Sequence, residues 1–290
     1  MRGGRPALGR AYPQPVPTAD LHPPARPSAI YRELRPSARA QLHAGAARAM
    51  LAERQQPATV APHLLATEPV NDEMVVEVLR AAATTAFEQG VADLAQSYLS
   101  RALSEPPPED SLAEVLAGLG QAEALGGRAL EEACRHLEEA AEHTTDPAER
   151  VADIEAAART RVYRGDLKGA VDLLGRELDS GSLDRETALR LRAHQAAIGL
   201  LQPPLAAAAV ETLEEFTEVA GETPAELAVL AELGGSRWLD GRISEGAQFA
   251  ERAIADGRLL ASEGPLSVPF NQAVAVADRR RSFRRRAPRT

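Results

Sequence analysis

The stretch Gly165-Asp166-Leu167-Lys168-Gly169-Ala170, with Leu173-Leu174 and Leu178 behind it, recurs along the chain. Gly90-Val91-Ala92-Asp93-Leu94-Ala95 precedes Tyr98-Leu99 and Ala102-Leu103, and Gly241-Arg242-Ile243-Ser244-Glu245-Gly246 precedes Phe249-Ala250 and Ala253-Ile254. A weaker copy is Gly127-Arg128 with Ala133, Leu137 and Ala140, and the weakest centres on Ala209, Leu213 and Phe216. The anchors Ala95, Ala133, Ala170, Ala209 and Gly246 are separated by 38, 37, 39 and 37 residues, a near-constant period that marks a repeat architecture. In each unit a glycine permits the positive backbone angle of a tight turn between two helices. A small residue five positions later lets the second helix approach the first, and large apolar groups beyond it fill the groove. Such a hairpin cannot bury its apolar stripe alone, so neighbours stack into a solenoid.

The surroundings agree with an all-helical body. Ala, Leu, Glu and Arg dominate between the ends, and aromatic residues make up only 3% of the 290 residues. The expected organisation is a disordered Pro/Arg-rich segment over 1–29, a helical lead-in over 30–72, repeats over 73–262 and a basic disordered tail over 263–290. The N-terminal segment crowds Pro13, Pro15, Pro17, Pro23, Pro24 and Pro27 together and has few large apolar groups. The tail ends in Arg279-Arg280-Arg281-Ser282-Phe283-Arg284-Arg285-Arg286, whose charges repel one another.

Charge is segregated. The net charge is -9, but residues 1–31 carry +3 and residues 278–290 carry +6, leaving -18 on the body between them. An acidic body repels phosphate backbones, so specific nucleic-acid binding is not expected, and any sequence-blind affinity would reside in the arginine tail. No apolar run reaches the roughly 18 residues a membrane helix needs, since Pro204-Leu205-Ala206-Ala207-Ala208-Ala209-Val210 is bounded by Pro203 and Glu211. The single cysteine, Cys134, cannot form an intramolecular disulfide, and no secretory signal pattern follows the N-terminal arginines, so a cytoplasmic location is expected.

Gly90, Ala95, Leu99, Ala102 and Pro107 resemble the tetratricopeptide repeat in residue type and spacing, and Leu233-Gly234 stands where that family has its Leu-Gly pair. The period exceeds that family's 34, and most copies lack the closing proline. The resemblance implies a right-handed solenoid of irregular hairpins. A second resemblance rests on Tyr31-Arg32-Glu33-Leu34-Arg35-Pro36-Ser37-Ala38-Arg39-Ala40-Gln41-Leu42-His43, on Ala61-Pro62-His63-Leu64-Leu65, and on Val75-Val76-Glu77-Val78-Leu79-Arg80-Ala81-Ala82-Ala83. These look like the segment that follows the ATPase module in large actinobacterial LuxR-type regulators. In that family tetratricopeptide-like repeats come next, and a C-terminal helix-turn-helix binds DNA.

The family's chemistry does not carry over. A phosphate-binding loop needs Gly-x4-Gly-Lys-Ser/Thr, and the only lysine, Lys168, is followed by Gly169 and Ala170. The expectation is therefore a non-enzymatic sensor or interaction region resembling the middle of such a regulator, without its ATPase and helix-turn-helix modules and with no cofactor. Both ends have the Arg/Pro bias of GC-rich DNA translated out of frame, which implies a fragment. The alternative is a free-standing tetratricopeptide-type scaffold. Expected partners are a protein or peptide in the concave groove, or neighbouring domains of a larger regulator.

Catalytic and metal readings find little support. Cys134, His136 and His143 share a helix with Glu139, but Cys134 and His136 are two apart and point to different sides. His63 precedes Leu64-Leu65 and reads as a packing or exposed histidine. Glu131-Glu132 and Glu138-Glu139 read as solvated helix faces with arginine neighbours. Counting back from the anchors, the tetratricopeptide resemblance places Arg80, Thr84, Phe87 and Glu88, then Arg159 and Tyr163, then Trp238, on the concave face of the first helices. Such grooves bind extended peptides or partner helices through aromatic anchors and charged clamps. Phe87 and Trp238 also admit a simpler reading, as large groups that plug the core.

Overall fold

A computed structural model describes residues 31–265 and 267–286, with side chains as far as Arg279. The expected disordered segment over 1–29 and residues 287–290 lie outside the described residues. All regular structure among the described residues is helical, and none of it is strand. The lead-in forms α1 (Pro36–Ala52) and α2 (Pro57–Leu65). Five hairpins follow. They are α3 (Glu73–Glu88) with α4 (Ala92–Leu103), α5 (Glu109–Gly126) with α6 (Leu130–His143), and α7 (Pro147–Tyr163) with α8 (Leu167–Asp179). Then come α9 (Arg185–Gly199) with α10 (Pro203–Glu214), and α11 (Pro224–Leu239) with α12 (Ile243–Ile254). The short α13 (Arg258–Glu263) and α14 (Val268–Arg286) close the described chain.

Helix starts follow local chemistry. The Asp72, Asp146, Asp166 and Asp184 carboxylates accept backbone N–H bonds at the starts of α3, α7, α8 and α9, and Thr223 does so for α11. Pro147 and Pro224 occupy the first turns of α7 and α11, where a missing N–H costs nothing. Between the helices of four hairpins, Gly90, Gly127, Gly165 and Gly241 take φ between 68° and 82°, a region that a side chain would disfavour. The fourth hairpin has no such glycine. Its turn runs through Leu200-Leu201-Gln202, and Pro203 starts α10.

All five anchors are buried. The close approach is plain in the last hairpin, where a Cβ on Gly246 would lie 2.6 Å from the Gly234 carbonyl oxygen. Gly120 meets α6 in the same way, since a Cβ there would lie 3.0 Å from the Ala133 carbonyl. Each helix from α3 to α10 packs on the next, so the apolar groups merge into three successive clusters. The order breaks at the fourth hairpin, where α11 lies mainly on α9 and only lightly on α10. There the buried Arg237 of α11 bridges the gap, donating to Glu214 of α10 and, at 3.0 Å, to Glu245 of α12.

One expectation needs correction. Residues 263–290 do not form a tail throughout, because α14 spans 268–286 and packs on α11 and α12. Its Ala273, Val276 and Ala277 are buried and Phe270 joins the same cluster. The apolar face is built from small residues at i, i+3 and i+4, which the arginine run behind it obscures in the sequence.

Candidate functional site

Ala82 and Ala86 of α3 point into the first apolar cluster, so the helix face opposite to them stays open. On that side α3, α4 and α5 enclose a cleft of about 340 Å³. From α3 it is lined by Glu77, Arg80, Ala81, Ala83, Thr84 and Phe87, with Leu99 of α4 as floor and Glu114 and Gly118 of α5 as the far wall. Gly118 keeps that wall low, since a Cβ there would lie 3.0 Å from Leu99 Cδ1. Phe87 is half-buried against the first cluster and also presents surface to the cleft. Arg80 is ion-paired with Glu114 across the cleft.

Three of the four first-hairpin residues, Arg80, Thr84 and Phe87, thus meet at one place, and the fourth, Glu88, is exposed at the end of α3 outside the lining. Arg159 and Tyr163 are exposed on α7, beyond that cleft. Trp238 lies apart from all of them. It packs on the last apolar cluster, and the Arg279 guanidinium of α14 sits 5.9 Å from its ring centroid.

A polar knot that the sequence reading did not single out joins the middle of the array to its C-terminal helices. His194 of α9 bonds through Nδ1 to Glu155 of α7 at 3.0 Å and through Nε2 to Glu263 of α13 at 3.1 Å. Arg190 adds a second contact to Glu155 at 3.2 Å. Burial alone would pull the imidazolium down, but the hydrogen bonds and charges of Glu155 and Glu263 outweigh it and push His194 up to about 9. Close by, Glu232 of α11 is fully buried with the Gln272 side chain of α14 as a neighbour, and desolvation raises it to about 8. A protonated histidine held by two carboxylates is a structural link rather than a base, and neither group lines the cleft.

The remaining sequence candidates are dispersed. Cys134 is buried with its thiol toward the Ala157 carbonyl, and desolvation raises it. His136 is buried against Glu123 at 2.8 Å, and His143 is exposed. His63 bonds the ring of His43 at 3.0 Å. Among the described residues, no group of three or more His, Cys, Asp or Glu side chains is placed to hold a metal ion, and no helix is long and apolar enough to cross a membrane. Glu131 pairs with Arg164 and Glu138 with Arg161 at 2.5 Å, bridging α6 to α7, whereas Glu139 pairs at 3.1 Å with Arg135 of its own helix. No protein-family model matches the chain, and none of the curated proteins does.

Proposed function

We propose that this chain is a non-enzymatic helical-repeat region that binds a peptide or protein segment in the cleft between its first two hairpins, as the sensor portion of a larger LuxR-type ATP-binding regulator would. The observation that supports it is the convergence of Arg80, Thr84 and Phe87 on one cleft large enough for one or two side chains, with an aromatic wall and an ion pair at its rim. Apolar burial on Phe87 and Leu99 supplies affinity, and Glu77 together with the Arg80–Glu114 pair supplies orientation. The open, one-sided shape suits a segment lying across α3 and α5 better than an enclosed small molecule.

The test is selection of random peptides displayed on phage against the immobilised full-length chain. Selected peptides are expected to lose at least about tenfold in affinity on Phe87→Ala and on Thr84→Trp, which fills the cleft from an exposed position, while far-UV circular dichroism stays unchanged. Failure to enrich any sequence, or binders indifferent to both changes, would refute the cleft as the binding site.

A further inference from the structure

His43 of α1 and His63 of α2 face one another through the same ring atom, with Nδ1 3.0 Å from Nδ1. The ring centroids are 5.1 Å apart and the planes stand at 53°, so the imidazoles meet corner to corner rather than stacked. At the opposite nitrogen of His43, Nε2 lies 2.8 Å from the Tyr31 hydroxyl. Both rings are half-buried, so solvent and small ions reach them. Two neutral imidazoles placed this way share a single proton between their Nδ1 atoms. The Tyr31 hydroxyl, which both donates and accepts, serves either tautomer of His43. His136 and His194, by contrast, are each held by glutamate.

We propose that His43 and His63 chelate a zinc ion through their Nδ1 atoms and so clasp α1 to α2. Imidazole nitrogens bind zinc at about 2.0–2.1 Å, so two of them on one ion stand about 2.9 Å apart at a right angle and about 3.4 Å apart at the tetrahedral angle. The observed 3.0 Å lies inside that range. A small turn of each half-exposed ring aims both lone pairs at one point. The ion takes the place of the shared proton, which moves to Nε2 of its own ring, so the pair binds zinc without losing a proton. In the bound form Nε2–H of His43 donates to the Tyr31 oxygen, and a partner on the outer nitrogen is what orients a ligating histidine. Nitrogen donors without carboxylate suit zinc, copper and nickel rather than magnesium or calcium. Zinc has no geometric preference of its own, so it accepts a pair completed by water. Arg39, one turn before His43, places its guanidinium 5.6 Å from the Tyr31 ring centroid. With neutral donors and a cation already near, micromolar rather than tighter affinity is expected.

The clasp acts where the fold is weakly held. α1 fully buries only Ala47, with Met50 and Leu51 partly buried against the first cluster. An element with so few apolar contacts belongs to the low-stability end of a structure. An ion that binds only when α1 and α2 are packed adds its binding energy to their docking. Neither histidine lines the cleft, so this inference stands or falls independently of the peptide-binding reading.

Isothermal titration of the full chain with zinc chloride, in a buffer that does not bind zinc, tests the site. One equivalent is expected to bind saturably, with a dissociation constant on the order of 10 μM. His43→Ala and His63→Ala should each weaken that binding at least about tenfold, whereas His22→Ala and His143→Ala should leave it unchanged. Nitrogen-15 NMR of the imidazoles reads the site without any substitution: zinc should shift Nδ1 of both His43 and His63 and fix both rings as Nε2–H tautomers. No saturable binding up to roughly 100 μM zinc, binding that survives the loss of both histidines, or Nδ1 resonances that zinc leaves in place would overturn the proposal.

Discussion

Replacing His194 with glutamine tests the polar knot through the pH dependence of stability. In the folded chain the imidazole lies between Glu155 and Glu263 and is pushed up to about 9, against 6.5 for the free side chain. A group raised on folding contributes stability that is complete below its unfolded pKa and is lost as pH rises through the folded one. The window is therefore pH 6.5 to 9, and the shift is worth about 3 kcal/mol at about 1.36 kcal/mol per unit. Glu232 acts in the same direction. Its carboxyl is raised to about 8, so the folded state holds a proton that the unfolded state releases above 4.5, and stability falls as pH rises between those values.

Urea unfolding at pH 6, 7, 8 and 9 measures both. The wild-type chain should lose at least about 3 kcal/mol across that range, on a total of the order of 5–15 kcal/mol. His194→Gln should cost about 3–5 kcal/mol at pH 6, since it leaves Glu263 without its cation and Glu155 with only its arginine neighbours, and should flatten the slope above pH 7 by about one proton. A wild-type midpoint that is the same at pH 6 and pH 9, or a variant that keeps the wild-type slope, would refute the protonated bridge. The charged groups around His194 are Glu155 of α7 with Arg159 beside it, Arg190 of α9, Glu232 of α11 and Glu263 of α13.

Glu232→Gln should stabilise the chain by about 1–3 kcal/mol at pH 8, because it removes a fully desolvated acid while keeping its shape; a thermal melt that shows destabilisation there would contradict the assignment. Ala170→Leu overpacks a fully buried anchor and should cost about 1–3 kcal/mol in urea melts, whereas Lys168→Glu loses only the exposed pair with Asp172 and should cost less than about 1 kcal/mol. Gly246→Ala presses a methyl group to within 2.6 Å of the Gly234 carbonyl, and its melting temperature should fall by several degrees. Calorimetry with ATP should give no saturable binding, since the only lysine, Lys168, is exposed and paired with Asp172.

The hairpin order was legible because one period carries several independent signals. Each turn glycine fixes a backbone angle, each anchor fixes a helix approach, and the spacing fixes which helices are neighbours. The same spacing also relates charged partners on neighbouring hairpins. Residues about one period apart sit at matching places on adjacent hairpins, and several ion pairs obey that rule: Arg80 with Glu114, Arg164 with Glu131, Arg190 with Glu155 and His194 with Glu155. Opposite charges 33 to 39 residues apart were thus a readable sign of cross-hairpin bridges.

The Glu263 side of the knot and the placement of α14 were not readable from the period, because both lie past the last repeat, where the spacing says nothing about neighbours. There position is set by packing alone, as Ala273, Val276 and Ala277 seat against α11 and α12 and Arg279 comes to Trp238. Trp238 could be assigned to the last first-helix from its spacing. That this face is covered by the chain's own C-terminal helix follows only from contacts between residues some 40 positions apart in register-free sequence. A repeat period therefore orders the helices and their bridges, while the cap that closes an array is specified by side-chain fit.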